Sequence, residues 1–382
     1  MKVLYVLRTS EFTDGGTIAW ANMLESLSEY DVQPIVALKS KGSITDWLEK
    51  KGITYYIIGN QELYALNFNR KIKGKIYQLL QLPKIFRSTI KVAKILKKII
   101  ELEKPDIVHS NNVWIVSAYY ACKKSKVKHL WHLREYGDIL GYKLLPSGKY
   151  FRNNFLKNSY TVSITSDVAH HFDCMNNNKD FVVIDGVMPT NSTRYTKEKE
   201  DYFLNVGAGS PIKGCEMIVE AFIKYAKNAA KTTELWLVGN YSESYKHELI
   251  TRFDLCGLLN RVKFLGFRED RYELMYKAKA SIVASPMEGF GFVAVESIMN
   301  GCLLIGRNTT GTKFIMDQIE NNALSFSNAD ELADKMKEIS DNGIAMYENN
   351  IIKAQQIAAR KFTFEQNGKS MYEVYKKILE NG

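Results

Sequence analysis

Two glutamates frame the stretch of this chain most able to do chemistry. Residues 285–301 read SPMEGFGFVAVESIMNG, with Glu288 ahead of a Gly-Phe-Gly turn and Glu296 beyond it. A carboxylate accepts two hydrogen bonds at once, which suits paired hydroxyls on a ribose or a sugar. The preceding run, ASIVAS (280–285), reads as a short apolar strand. That puts residues 286–289 in the loop at its carboxyl end and starts a helix near Gly291 or Phe292, ending near Asn300 with Gly301 as its C-terminal glycine. Backbone N–H groups of Gly291, Phe292 and Val293 then lie at a helix N-terminus. Such an end attracts anions, and glycines let a phosphate come close. Taken alone, the same spacing fits an ordinary strand–turn–helix with two surface glutamates.

Other polar residues follow strands in the same way. Lys213 ends GAGSPIKG (207–214), after the strand YFLNVGA (202–208). Gly15 and Gly16 precede a helix in TDGGTIAW (13–20). WHLREYGD (131–138) gathers His132, Arg134, Glu135 and Asp138 after one strand. His109 ends the strand DIVHSN (106–111), where lining a site and being a satisfied strand-end histidine both stay open. His129, His170, His171 and His247 read as structural or solvated.

The elements that must position these residues alternate along the chain. Short apolar runs at 2–7, 32–38, 53–58, 106–111, 129–133 and 160–165 alternate with helical patterns such as 17–30, 43–51, 84–103 and 113–124. This is the rhythm of a parallel sheet covered by helices. After FVVIDGVM (181–188) comes PTNSTRYTKEKED, polar and aperiodic, which reads as a linker. A second series follows, with strands at 202–208, 234–239, 262–267, 280–285 and 302–306, and the chain is mostly helical from about 328. The fold expected is α/β, with two Rossmann-like halves facing each other across a cleft. Ligands in such sheets sit at the carboxyl ends of the strands. The expected domains are 1–188 and 189–362, with a last helix over 363–382 packing back on the first.

Composition narrows the class. The chain has 382 residues, a formal net charge of +10 and 46% apolar residues, ordinary for a globular protein with an anionic partner. The basic excess concentrates in residues 70–104, where Lys84, Arg87, Lys91, Lys94, Lys97 and Lys98 interleave with Ile85, Ile90, Ala93, Ile95, Leu96 and Ile99. A basic amphipathic helix of this kind suits an anionic membrane surface. Cys122, Cys174, Cys215, Cys256 and Cys302 stand far apart, which argues against a zinc site or a disulfide framework and fits a reducing compartment. The opening MKVLYVLRTSEF is too short an apolar run for a signal peptide, and no apolar run reaches the length of a membrane span. No nucleic-acid-binding module appears.

SPMEGFGFVAVESIMNG resembles the signature S-x-x-E-G-F-G-x-x-x-x-E-A-x-x-x-G of the retaining glycosyltransferases of family 4, which have the GT-B fold; Ser297 replaces the usual Ala. The resemblance covers nearly the whole chain. FLNVGAGSPIKGCEMIVEAF (203–222) is similar to the family's entry into its second domain, VVIDGV (182–187) to its I-x-N-G-V with Asp185 for Asn, and FTFEQNGKSMYEVYKKIL (362–379) to its last helix. The resemblance implies that Glu296 bonds the ribose hydroxyls of a nucleotide and Glu288 the transferred sugar. It pairs Lys213 with the diphosphate, and makes Gly291, Phe292 and Val293 backbone donors. Gly15 and Gly16 would form a wall near the diphosphate, and His132 would sit beside the reacting sugar. Ala208 stands where the family often has Arg, with Arg134 and Arg307 as candidate replacements.

The activity implied is transfer of a sugar from a nucleotide diphosphate, UDP-linked, to a hydroxyl of a lipid-linked or growing glycan in bacterial cell-surface polysaccharide synthesis. It would retain configuration and need neither cofactor nor metal. The place implied is cytoplasmic, peripheral on the inner face of the plasma membrane. A sugar-nucleotide epimerase of the same fold and an inactive sugar-binding subunit are the competing readings. A nicotinamide-dependent dehydrogenase lacks its G-x-G-x-x-G after the first strand.

Overall fold

The computed structural model describes residues 1–67, 76–77, 79–137, 142–175, 177–229, 232–321 and 324–380. Part of the basic segment 70–104, Asp138 and the last two residues therefore lie outside the described residues. The chain divides into two compact units, Met1–Gly186 with Phe364–Gly382, and Val187–Thr363.

Among the described residues the first unit has nine strands: β1 (Lys2–Val6), β2 (Gln33–Leu38), β3 (Thr54–Ile57), β4 (Ala65–Asn67), β5 (Ile107–Ser110), β6 (Lys128–Leu133), β7 (Tyr142–Leu144), β8 (Tyr160–Ser163) and β9 (Asp180–Val182). Seven of them form a sheet in the order β3-β2-β1-β5-β6-β8-β9, with every pair parallel. The order reverses between β1 and β5, the point at which such sheets open a crevice at their carboxyl ends. Apolar residues of β1, β2 and β5 are fully buried, as strands covered on both faces must be. On one face Trp20, Met23 and Leu24 of helix Gly15–Leu27 pack with Met371, Val374, Tyr375 and Ile378 of the terminal helix Phe364–Glu380. On the other face Val92, Leu96, Ile99 and Ile100 of helix Leu82–Glu103 cover Leu4, Val6 and Val108. The sequence pattern did not announce the small antiparallel pair β4–β7, whose strands are only three residues each and carry no clear period.

The second unit has β10 (Glu200–Val206), β11 (Glu234–Val238), β12 (Val262–Gly266), β13 (Ala278–Val283), β14 (Leu303–Arg307) and β15 (Ser325–Phe326). They form one parallel sheet in the order β12-β11-β10-β13-β14-β15. Its order reverses between β10 and β13, so the loops after those two strands flank the switch point. Those loops carry Lys213 and Glu288.

Candidate active site

In the second unit, β13 gives way to the loop that holds Glu288, and helix Phe292–Met299 follows, entered through Gly291 at φ 107°. The backbone of Glu288 is pinned from two sides. Its N–H donates to Thr310 Oγ1 at 3.0 Å, and its carbonyl accepts from the N–H of Gly311 at 3.0 Å. Gly311 is required by that approach, because a Cβ there would stand 2.4 Å from the carbonyl oxygen of Phe290. Gly214, after Lys213, has φ 76°, and a Cβ on it would stand 2.1 Å from the carbonyl oxygen of Ala284. The Lys-Gly pair thus presses the loop after β10 against the end of β13. Lys213 Nζ then donates to Glu288 Oε1 at 2.7 Å.

Glu296, one turn into the helix, is only 8% exposed. Its Oε1 accepts from Arg271 Nη2 at 3.1 Å and from the hydroxyl of Tyr272 at 3.0 Å. Arg271 lies over the Tyr272 ring, 4.4 Å from its centre, so the pair forms one rigid support. Burial, with Glu296 close by, pushes the Tyr272 phenol up to about 12, so it stays a donor at neutral pH. Sequence reasoning missed Arg271 and Tyr272. Their signal was present, since both open a helix just after β12. Phe292 and Val293 occupy the first turn of the helix, where N–H groups have no intrahelical acceptor. Arg307, at the carboxyl end of β14, donates through Nη1 to the carbonyl of Ala284 at 3.2 Å, the same peptide that Gly214 abuts. Ala208 is exposed, and Gly209 beside it packs flat on the Tyr241 ring, where a Cβ would come within 2.1 Å of a ring carbon.

In the first unit, Gly15 and Gly16 lie within the first turn of helix Gly15–Leu27, whose N-cap Asp14 accepts from the N–H of Thr17 at 2.8 Å. A Cβ on Gly16 would contact Arg134 Cδ at 3.5 Å. Arg134 follows β6, is buried, and is held on two sides. Its Nε donates to Asn111 Oδ1 at 2.8 Å and its Nη1 to Asp185 Oδ1 at 2.5 Å. Its Nη2 is buried with no partner among the described residues. Burial raises the Asp185 carboxyl above the usual range, against the pull of Arg134. Arg134 therefore belongs first to an internal ion pair, and of its side-chain donors only Nη2 stays without a partner among the described residues.

His132, near the end of β6, is fully buried, and its Nε2 has no partner among the described residues. Its Nδ1 lies 3.1 Å from His109 Nε2, and the two rings stack at 5.1 Å. His109 Nδ1 lies 2.7 Å from the hydroxyl of Tyr375. His109 stood as a candidate donor contact, with a satisfied strand-end role left open beside it. It is fully buried with both ring nitrogens engaged, so it stands behind His132, and that expectation is corrected. Burial, reinforced by Arg134, pushes both imidazoles well below the usual histidine range, so both are neutral. His129 turned out structural, bonded to Ser110 and Ser159. Among the described residues no cluster of His, Cys, Asp and Glu is arranged to hold a metal.

Comparison with known proteins places this geometry. Residues 189–357 match the family model described as glycosyl transferases group 1. A glycosyltransferase of Methanocaldococcus jannaschii, itself uncharacterized, is 26% identical over 258 residues, which is 66% of this chain and 70% of that protein. The chain is a glycosyltransferase. Its α/β fold, with a parallel sheet in each unit, matches GT-B glycosyltransferase structures. The solved structure of HepE from Anabaena, in complex with UDP and glucose, superposes with a TM-score of 0.72 at 19% identity, covering 98% of each chain. A lipopolysaccharide core biosynthesis glycosyltransferase of Rhizobium meliloti is 31% identical over 134 residues, 35% of this chain and 37% of that protein.

Proposed function

We propose that this glycosyltransferase is of the retaining family 4 kind, takes a UDP-linked sugar and delivers it to a hydroxyl of a lipid-linked or growing glycan of the bacterial cell surface. The observation that carries the reading is the loop and helix after β13. They hold Glu288 against Lys213, and Glu296 against Arg271 and Tyr272, at the switch point of one parallel sheet. Glu296 takes the ribose hydroxyls, Glu288 the transferred sugar, and Lys213 the diphosphate. The N–H groups of Gly291, Phe292 and Val293 face the anion. Arg307, beside the Lys213 loop, supplies the cation that Ala208 lacks. His132, through its buried but unpartnered Nε2, is assigned to a hydroxyl of the sugar, and Gly15 and Gly16 keep the first turn of their helix open to the phosphates.

The chemical difficulty is charge. An oxocarbenium-like sugar parts from an anionic diphosphate, and fixed donors aimed at that anion stabilise the separation. Lys213, Arg307 and the helix end do this from the protein's own residues, so the reaction is assigned without a metal or other cofactor. The HepE complex with UDP and glucose and the lipopolysaccharide relative support this donor and acceptor class.

The acceptor class implies a membrane, and helix Leu82–Glu103 suits one. Its inner face is spent on the core, while Phe86 and Ile90 are 41% and 54% exposed among Arg87, Lys91 and Lys94. Ile76, Tyr77, Leu79 and Leu80, just ahead of it, are exposed as well. No helix of the described residues is long and apolar enough to cross a membrane. The proposed site is the cytoplasmic face of the plasma membrane, with anionic lipid as partner.

The deciding experiment is a thermal-shift panel with UDP, GDP, ADP, NAD and nucleotide sugars in EDTA, on the native protein and on Glu296→Ala. A shift with UDP, kept in EDTA and lost in the variant, is expected. A shift with NAD alone, or with no nucleotide, overturns the reading.

A further inference from the structure

Four buried side chains of the first unit form a single hydrogen-bonded row. It runs from Tyr5 on β1 through Tyr375 on the terminal helix and His109 on β5 to His132 on β6. The links are 3.1 Å between the two tyrosine hydroxyls, 2.7 Å from Tyr375 to His109 Nδ1, and 3.1 Å from His109 Nε2 to His132 Nδ1. All four residues are fully buried, so no water competes for the links. The row ends at His132 Nε2, the one ring nitrogen of the two histidines without a partner among the described residues.

Such a row has a direction, because each neutral imidazole carries one proton and each phenol one. The direction is set at the tyrosine end. The hydroxyl of Tyr375 donates to the oxygen of Tyr5. Its single proton is then spent, so towards His109 it can only accept. His109 must therefore carry its proton on Nδ1 and leave Nε2 bare. His132 must in turn donate from Nδ1, which leaves its own Nε2 as a lone pair. Burial and the neighbouring Arg134 cation keep either ring from taking a second proton.

We infer that Tyr375 and Tyr5 are positioning residues for transfer: through His109 they fix the tautomer of His132, so that its Nε2 meets the sugar as a hydrogen-bond acceptor. The inference deepens the proposed role of His132 and rests on it, yet the tautomer exists without any ligand. It also gives the terminal helix a task beyond packing. Met371, Val374 and Ile378 on that helix serve the core, while Tyr375 reaches past them into the polar row.

The sense of the row makes the variants informative. Tyr5→Phe removes the acceptor of the Tyr375 hydroxyl, which then turns its proton to His109 Nδ1 and reverses the row. Tyr375→Phe leaves a His109 Nδ1–H facing a ring, a stranded buried donor that reversal removes. Both variants should therefore present His132 with its proton on Nε2.

The test is nitrogen NMR of the ligand-free full chain with ¹⁵N-labelled histidine, the six histidines being assigned by single substitutions. Long-range proton–nitrogen couplings tell an Nδ1–H ring from an Nε2–H ring directly. The expected result is the Nδ1–H form for His109 and His132 in the native protein, with both switching to Nε2–H in Tyr5→Phe. Loss of one acceptor should lower kcat/KM for transfer roughly tenfold in that variant. An Nε2–H His132 in the native protein overturns the inference even if Tyr375→Phe fails to fold. Unchanged tautomers in Tyr5→Phe overturn it equally. Neither outcome touches the donor assignment, which nucleotide binding by the second unit reads separately.

Discussion

Lys213 and Glu288, proposed for opposite ends of one donor, hold each other at 2.7 Å in the ligand-free protein. The pair is partly open to solvent, with the two side chains 36% and 22% exposed. An ion pair of that exposure contributes no more than about 1 kcal/mol to stability. Its value is better explained as placement. Each partner keeps the other extended over the loop, where the proposed roles would give the ammonium a diphosphate and the carboxylate a sugar. Lys213→Met and Glu288→Gln should each lower kcat by roughly 10²–10³ while the unfolding midpoint barely moves. The double variant should lose far less than the product of the two. Steady-state kinetics beside urea unfolding checks this, and a large stability loss with ordinary activity would make the pair structural.

Glu296 has a different support. Arg271 and Tyr272 both bond its Oε1, and the proposed ribose contact falls to Oε2. Tyr272→Phe keeps the ring under Arg271 and removes one donor to a charged acceptor. A bond of that kind contributes about 1.5–3 kcal/mol, and losing part of it should weaken UDP binding by roughly three- to tenfold. Glu296→Ala should abolish detectable binding. Calorimetric titration of UDP into the three proteins tests the order, and equal affinities would remove Glu296 from the nucleotide site.

What the sequence could disclose followed from how local each signal is. The strand before Glu288, the helix after Gly291 and the Lys-Gly pair were legible because each is a short-range pattern of apolar period and glycine. The partners of Glu296 were harder to read, because Arg271 and Tyr272 open a helix of their own after β12, and only the fold sets the start of that helix beside the one that carries Glu296. The same holds for His109. A strand-end histidine looks alike whether it faces a ligand or another side chain, and Tyr375 lies 266 residues further along the chain. The ion pair of Arg134 was hidden for that reason too. Its carboxylate, Asp185, sits in the segment VVIDGV, which had been marked only as a departure from a pattern.

That departure makes its own prediction. The Arg134 and Asp185 side chains are 5% and 1% exposed, so neither charge reaches water. Breaking a buried pair leaves one charge uncompensated and costs about 3–5 kcal/mol. Asp185→Asn installs the residue of the family pattern and keeps an acceptor, yet removes the charge. It should cost about 3 kcal/mol by urea unfolding, the low end of that range. A cost near zero would mean that Arg134 is neutralised some other way.

The basic helix is tested with vesicles. Each lysine or arginine near an anionic surface contributes about 1 kcal/mol, and the effect is screened by salt. Pelleting should therefore require anionic lipid and fall steeply with salt. Phe86→Ser with Ile90→Ser should weaken it further without unfolding the protein, since both side chains face solvent. Equal pelleting on neutral vesicles, indifferent to salt, would count against a membrane role.

The buried histidines set how stability depends on pH. His109 and His132 are held well below the usual value by burial and Arg134, and His129 is pushed down to about 3 by burial alone. In the unfolded chain all three take up protons near 6.5, while the folded protein does not. The sign follows. Their contribution is complete above about 6.5 and is lost as pH falls towards the folded values, a window that for His129 ends near 3. Three protons bound only by the unfolded state give a slope of up to about 4 kcal/mol per pH unit. Asp185 and Glu135, whose carboxyls are raised by burial, work in the opposite direction, but they are two groups against three. Urea unfolding between about pH 7.5 and 5 should show stability falling steeply on the acid side. His129→Gln can keep a bond to Ser110 and should remove about a third of that slope, leaving the row from Tyr5 to His132 untouched. A flat profile would mean that these imidazoles are charged in the folded protein, and with them the neutral acceptor at His132 would go.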